Sequence, residues 1–315
     1  MKIYRGLPHA DDRLPVALTI GNFDGVHRGH QALLASVVAA ARARGLVPAV
    51  MTFEPHPREF FTPQQAPARV ANLRDKLESL RTRGIERVFI EHFSRRFASI
   101  TAQQFVEDIL IARCRTRWLA VGDDFRFGAR RAGDVAMLRD YAAGGHFELA
   151  QVPTVLEDSQ RISSSAVRAA LDAGDLDRAS RLLGHPYFVS GRVQHGAKLG
   201  RTLGFPTLNL RIAHVRRQRQ PAVRGIFAVR VDGIGDKPLP GVASVGVRPT
   251  LDDSGRWLLE VHLFDFAGQL YGRLVRVEFL HKLRDEQKYE TLAELTAAIR
   301  SDAERARALL DVTTI

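Results

Sequence analysis

Two histidines three residues apart, His27 and His30, close the run GNFDGVHRGH at Gly21 to His30, where an apolar stretch ends and a helical pattern begins. On the first turn of a helix both imidazoles point the same way, beside free N–H groups and a dipole that favour a phosphate. Gly21 and Gly25 would let the backbone approach an anion closely. The combination predicts a polyphosphate cradle. A zinc site would need a further ligand at suitable spacing, and only His56 follows nearby.

A second constellation lies in the other half of the chain. Gly191 to Leu210, GRVQHGAKLGRTLGFPTLNL, surrounds His195, Lys198 and Arg201 with Gly196, Gly200 and Gly204. Such a loop either wraps phosphates or builds tight β-turns; it lacks the GxxxxGK[ST] spacing and is no P-loop. Thr207 and Asn209, two apart on a strand, face one side and offer neutral oxygens that suit a hard cation, although a polar edge strand has the same pattern. In LEVHLFDF, Leu259 to Phe266, Glu260, His262 and Phe264 share a face. Glu260 is then either a base for a substrate hydroxyl or an exposed strand glutamate.

The elements that must position these groups follow from periodicity. Apolar, β-branched runs at Val16 to Ile20, Val47 to Phe53, Val88 to Phe93, Trp118 to Val121 and Phe147 to Val152 alternate with helical patterns. One such helix is Gly29 to Arg44, with Leu33, Leu34, Val37, Val38 and Ala41 on one stripe. This predicts an α/β domain with a doubly wound parallel sheet. Its ligand edge would carry Gly21 to His30, Thr52 to Pro57 (TFEPHP) and Val121 to Gly128 (VGDDFRFG). Arg161-Ile162-Ser163-Ser164-Ser165 then enters a short helix with Arg168 one turn on; by spacing alone the serines serve equally as a helix cap.

Two short helices, Ser163 to Ala173 and Asp175 to Leu183, lead to a boundary near Gly184 to Tyr187. Beyond it, Phe188 to Val193, Thr207 to Leu210, Ile226 to Val231, Val242 to Val247, Leu258 to Phe266 and Leu274 to Leu280 alternate between Gly/Pro turns, which predicts an antiparallel β-barrel. The tail from Arg284 to Leu310 repeats Leu292, Leu295, Ile299, Ala303, Ala306 and Leu310 at helical spacing, so a long helix should close the chain. The expected domains are residues 1–184 and 185–315.

Composition narrows the function. The chain has 315 residues, 45% hydrophobic, which excludes disorder and fits two cores. Its one cysteine, Cys114, excludes a disulfide framework and a cysteine-rich zinc site, and a reducing, cytoplasmic setting is expected. The opening residues hold no apolar core of signal-peptide length, and no run approaches the roughly 18 apolar residues of a membrane span. Net charge is +11, but it is spread, +5 through Gly184 and +6 beyond, and only six of the 46 basic residues are Lys. No basic cluster, helix-turn-helix signature or aromatic-interleaved RNA motif appears, so neither nucleic acid nor membrane is an expected partner. No oligomer interface can be named from the sequence.

GNFDGVHRGH resembles the HxGH signature of the nucleotidyltransferase superfamily, in its FAD synthetase branch. The loop at Gly191 to Leu210, the PTLN strand, Gly225-Ile226-Phe227, GVASVGVRPT at Gly241 to Thr250, LEVHLFDF and Leu283 to Lys288 are similar to flavokinase. Over nearly the whole chain the pattern resembles the prokaryotic bifunctional riboflavin kinase/FAD synthetase family. The resemblance implies a Rossmann-like nucleotidyltransferase domain followed by a flavokinase barrel. The barrel would phosphorylate riboflavin to FMN, and the first domain would adenylylate FMN with ATP to FAD, with Mg²⁺ as cofactor. A monofunctional FAD synthetase with a flavin-binding barrel, or a flavin-sensing nucleic-acid-binding regulator, is the alternative.

By this resemblance His27, His30, Arg168 and Glu260 are catalytic, and Thr207 and Asn209 hold the metal. Nucleotide contacts fall to Gly21, Phe23, Asp24, Gly25, Asp124, Arg161, Ser163 and Ser164 in the first domain, and to His195, Gly196 and Lys198 in the second. Flavin contacts fall to Phe53, His56, Phe60, Phe125 and Phe127, and to Arg284 and Tyr289, with Phe61 and Phe264 as further aromatic candidates. The sequence departs at Ser165, where the family usually has Thr, and at His185 and Gln269, where basic and acidic residues are expected.

Overall fold

The computed structural model describes residues 1–8, 12, 14–196, 200, 203–211, 221–247 and 257–312. The chain forms two compact units: residues 1–67 with 76–163, and residues 68–75 with 164–315. The expected cut after residue 184 differs from this division. Helices α7 (Ser164–Ala173) and α8 (Leu176–Leu183) group with the barrel, as does the strap Ala68–Asp75.

In the first unit, six strands form one parallel sheet: β1 (Lys2–Arg5), β2 (Val16–Ile20), β3 (Val47–Glu54), β4 (Arg87–His92), β5 (Thr116–Gly122) and β6 (Glu148–Val152). Their spatial order is β1-β4-β3-β2-β5-β6. The five strands expected from apolar runs are all present. The edge strand β1 was not legible because KIYR has no apolar run and is mostly exposed. β2 is buried along its whole length, as a central strand covered on both faces must be. From β2 the chain passes to β3 on one side, while β5 lies on the other, so the order in which strands are added reverses between β2 and β5. The carboxyl ends of these two strands therefore flank the crevice where such sheets bind ligands.

Helix α1 (Arg28–Arg44) rises from that crevice and buries Leu34, Val37, Ala40 and Ala41. The helices α2 (Pro57–Phe61), α3 (Leu73–Thr82), α4 (Arg95–Ala98), α5 (Ala102–Gln104, continuing as a π-helical stretch, Phe105–Arg113) and α6 (Val135–Ala143) complete this part of the chain, α3 spanning the division between the units.

After β6 the short strands β7 (Leu156–Glu157) and β8 (Gln160–Arg161) pair with each other, and the second unit contains a closed antiparallel barrel of β9 (Tyr187–Gln194), β10 (Leu208–Arg211), β11 (Gly225–Asp232), β12 (Leu239–Val247), β13 (Trp257–Leu263) and β14 (Leu274–Arg284), ordered β10-β13-β12-β11-β14-β9. Closure leaves no sheet edge. The long helix α9 (Leu292–Leu309) begins only at Leu292, because Thr291 caps it in a reciprocal box with Glu294, and residues up to Arg284 belong to β14. Its Ala303 and Ala306 pack with Ala228, Val242, Phe264 and Leu283. The strap joins the barrel through Asn72, which donates to the Ser190 carbonyl at 3.0 Å, and Asp75, which accepts from the Ser190 N–H at 3.0 Å.

Candidate active sites

The run from Gly21 to His30 occupies the carboxyl end of β2 and the start of α1. Its backbone is strained: Phe23 has φ +47° and Val26 φ +41°, both side chains fully buried, with Gly25 at φ +79° between them. A β-branched residue in this region costs about 1–2 kcal/mol, an expense typical of loops shaped for a ligand. His27 is the N-cap of α1, its Nδ1 accepting from the His30 N–H at 3.3 Å. Nδ1 is thus an acceptor, so in the neutral ring the proton sits on Nε2. The two imidazoles stack with centroids 3.7 Å apart, and His30 also meets the Phe23 ring at 4.9 Å. Gly29 lies close under the pair: a Cβ there would stand 3.2 Å from the His27 ring, so any side chain would press on it.

Burial pushes the His30 pKa well below that of a free histidine, and the nearby His27 and Lys76 charges push it further down. Its Nδ1 is buried without a hydrogen-bond partner, as is Oδ1 of Asn22. The first turn of α1 carries no acidic residue, so nothing on it competes for an anion at the helix terminus. After β5, Asp124 pairs with Arg161 at 2.8 Å, both largely exposed. Asp24 is buried. Ser163 ends the first unit, whereas Ser164 and Arg168 belong to the second, where Arg168 Nε donates to the Ala68 carbonyl at 2.8 Å.

The expected flavin aromatics form part of a continuous row. Phe60 meets Phe93 at 5.5 Å, Phe93 meets Phe53 at 5.9 Å and Phe97 at 5.6 Å, and Phe105, Phe127 and Phe125 continue it. Phe127 is buried beneath Gly133, where a Cβ would stand 2.5 Å from its ring, while Phe61 is exposed. His56 caps α2, accepting from the Arg58 N–H at 3.1 Å in a box with Glu59. Beside the row, Leu7, Glu91, His92, Phe97, Ile100 and Arg113 help line a cavity of about 590 Å³, whose lining includes none of the five expected flavin contacts. Burial raises the Glu91 pKa there.

In the barrel, Asn209 stands directly opposite Glu260 across β10 and β13, and Ser244 opposite Glu260 across β12 and β13. Their neighbours Leu210, Leu259, Val261, Ala243 and Val245 are buried, so Asn209, Ser244 and Glu260 share the outer face. Thr207 immediately precedes β10, and its carbonyl accepts from Asn209 Nδ2 at 3.4 Å. Gly196 touches the same carboxamide: a Cβ there would stand 2.4 Å from Nδ2 and 2.6 Å from Oδ1. His195 stacks on Tyr271 with centroids 3.8 Å apart. Lys198 lies outside the described residues.

On the same face Glu286 crosses Gly246, and burial together with the Glu260 charge raises its pKa against the opposing effect of Arg284. Arg284 itself is held by Asp302 on α9 through bonds of 2.6, 2.9 and 3.1 Å and lies 5.8 Å from the Tyr289 ring centre. Phe264 is buried against Ala303 and Ala306, with Arg307 over its ring at 4.4 Å. This aromatic candidate is therefore part of the contact between barrel and helix.

The FAD synthetase family pattern matches residues 10–166 and the riboflavin kinase pattern residues 183–310. An Escherichia coli (strain K12) bifunctional riboflavin kinase/FMN adenylyltransferase is 48% identical over 316 residues, covering 99% of each chain. The chain belongs to the bifunctional riboflavin kinase/FMN adenylyltransferase family. Relatives of the same description from Pseudomonas fluorescens and Haemophilus influenzae are 46% and 44% identical, over 98% and 99% of this chain. A solved Streptococcus pneumoniae structure described as a macrolide-efflux protein has 30% identity and a TM-score of 0.76, covering 97% of this chain and 98% of its own.

Membership in this family makes sense of the two separate constellations, one at a parallel-sheet crevice and one on a barrel face. Sequence reading did not single out Lys76 or Tyr271, and took in Ser244 and Glu286 only as members of the runs Gly241 to Thr250 and Leu283 to Lys288. Lys76 carried a signal, a lysine on the apolar stripe of α3 with Leu73 and Leu80. The others meet their sites through strand register or loop packing, which leaves no local pattern.

Proposed function

We propose that the two sites perform successive phosphoryl and adenylyl transfers in one chain, with the residue roles that follow. The chain is a riboflavin kinase and FMN adenylyltransferase; its substrates are riboflavin, FMN and ATP. In the barrel, Glu260 accepts the proton of a ribityl hydroxyl, whose oxygen attacks the γ-phosphorus of ATP and expels ADP. Thr207 and Asn209, with His195, Gly196 and Lys198 in the preceding loop, hold the nucleotide.

The oxygen donors of Thr207 and Asn209, the latter opposite Glu260 in the barrel register and close against Gly196, fit a hard cation. Mg²⁺ bound with the nucleotide would neutralise phosphate charge.

In the first module, the FMN phosphate attacks the α-phosphorus of ATP in line and expels pyrophosphate. The chain supplies positioning and charge neutralisation: the α1 terminus, His27 and His30 for the triphosphate, with Gly21, Phe23, Asp24, Gly25, Asp124, Arg161, Ser163, Ser164 and Arg168 completing nucleotide contacts. Flavin contacts remain assigned to Phe53, His56, Phe60, Phe125 and Phe127 in the first module and to Arg284 and Tyr289 in the second. The functional modules are residues 1–184 and 185–315, and ATP as substrate fits a cytoplasmic setting. No helix among the described residues is long and apolar enough to cross a membrane.

The observation that carries the kinase assignment is the Asn209–Glu260 register pair. Incubation with riboflavin, ATP and Mg²⁺, followed by chromatography over time, tests the whole reading. FMN should rise first and then convert to FAD; FMN accumulating without FAD, even when FMN is supplied directly, would contradict the role given to the first module.

A further inference from the structure

Thr207 stands one residue before β10, just beyond the reach of the barrel ladder. The pairing of β10 with β13 begins at Leu208 opposite Val261, and one further step would set Thr207 opposite His262. Pro206 has no N–H, so backbone pairing cannot run on through it. An imidazole takes over at that point: His262 Nδ1 lies 3.0 Å from the Pro206 carbonyl oxygen. A carbonyl can only accept, so Nδ1 carries the proton and donates.

The imidazole is itself oriented by two rings. Phe205 meets it edge-on at 5.3 Å and Phe264 at 6.0 Å, and Phe264 is anchored among the residues that pack α9 on the barrel. Ahead of the proline, the Phe205 N–H donates to the Gly200 carbonyl at 2.7 Å. The segment from Phe205 to Thr207 is therefore held at its start by the glycine-rich loop, in its middle by His262 and at its end by the β10 ladder. Alternation along β13 places His262 on the outer face with Glu260, two residues away.

We propose that His262 is a positioning residue of the kinase site: through its bond to the Pro206 carbonyl it sets the place of Thr207 against the nucleotide. The inference rests on the assignment of Thr207 to the nucleotide. A binding group is only as well placed as the residues that hold it, and the ladder alone does not hold Thr207.

The test uses the full chain with His262→Phe, which keeps an aromatic ring without the donor, and His262→Asn, whose side-chain N–H can stand near the place of Nδ1. FMN formation from riboflavin and ATP gives kcat and the KM of each substrate, and FAD formation from supplied FMN reports on the integrity of the chain. His262→Phe should lose on the order of 10-fold in kcat/KM for ATP, because a small displacement beside the reacting phosphates is costly. The KM for riboflavin and the rate of FAD formation should stay within about twofold. His262→Asn should recover at least about threefold of the loss, since a donor is restored. On a Thr207→Val background His262→Phe should cost less than about twofold, because a residue that acts through Thr207 has nothing left to place. Crystal structures of the parent and of His262→Phe should show the backbone from Pro206 to Thr207 displaced in the variant.

ATP kinetics of His262→Phe within about twofold of the parent would overturn the inference. So would an Asn variant no better than Phe, an undiminished loss on the Thr207→Val background, or a Thr207 that has not moved. Thr207→Val separates the two levels: if it keeps FMN formation at the parent rate, the assignment of Thr207 itself fails; if it loses FMN formation while His262→Phe does not, only the role of His262 fails.

Discussion

The imidazoles of His27 and His30 lie face to face, 3.7 Å between centroids, with the His30 backbone N–H bonded to His27 Nδ1. The helix start therefore fixes the histidine pair, and the pair in turn caps the helix. Glu260 occupies a different scaffold, the outer face of the barrel. Replacing His30 by Ala should lower FAD formation by about 100-fold or more while FMN formation stays unchanged, and Glu260→Ala should do the reverse. Assaying both products in each variant checks this. Loss of both activities from either change in a folded protein would show that the two modules do not act independently.

His30 also gives a pH signature for stability. Burial, His27 and Lys76 hold its folded-state pKa well below the unfolded value of 6.5. Between these two values the unfolded chain binds more protons, so stability rises with pH and is lost as pH falls below about 6.5. One such proton contributes a slope of about 1.4 kcal/mol per pH unit at most. Thermal unfolding of the parent and of His30→Asn between pH 4.5 and 7.5 should show a shallower acid slope in the variant. Parallel curves would mean that His30 is not held neutral.

Much of this architecture was legible in the sequence. Val16 to Ile20 reads as a central strand because all five residues are apolar or small, and it is buried throughout. Lys2 to Arg5 does not, because an exposed edge strand needs no apolar run. The GNFDGVHRGH run was legible because its glycines and histidines do chemistry through local geometry. Asn209 opposite Glu260 was not, since 51 residues separate them and only barrel register brings them together. The division into compact units differs from the expected domain cut for a similar reason: α7 and α8 continue the α/β pattern in sequence, but α8 packs on β9 and β14.

Arg284 illustrates how a functional expectation meets a structural partner. Its guanidinium makes a bidentate pair with Asp302, which is 4% exposed and 18 residues further on. The bond joins the end of β14 to α9, so it fixes the helix across the barrel. Removing one partner leaves the other poorly solvated, and Asp302→Ala should cost about 2–4 kcal/mol of unfolding free energy. Urea unfolding followed by FMN formation measures both quantities. A loss of FMN formation in Asp302→Ala with unchanged stability would point instead to a direct role for Arg284 at the flavin.

Gly196 gives the sharpest test of the barrel site. The glycine backbone lies against the Asn209 carboxamide so closely that any side chain must displace it, a Cβ falling 2.4 Å from Nδ2. Asn209 is one of the buried polar residues, and its neighbours Gln194 and Glu260 on the adjoining strands leave it little room to move without shifting β10. Gly196→Ala should therefore misplace the oxygen donor by a fraction of an ångström to about 1 Å, enough to lower FMN formation by about 10- to 100-fold. The effect should appear in kcat and in KM for ATP, since the loop and Asn209 are both assigned to the nucleotide, while FAD formation from supplied FMN stays at the parent rate. Equal FMN formation in parent and variant would show that the close contact between Gly196 and Asn209 does not set the position of the nucleotide.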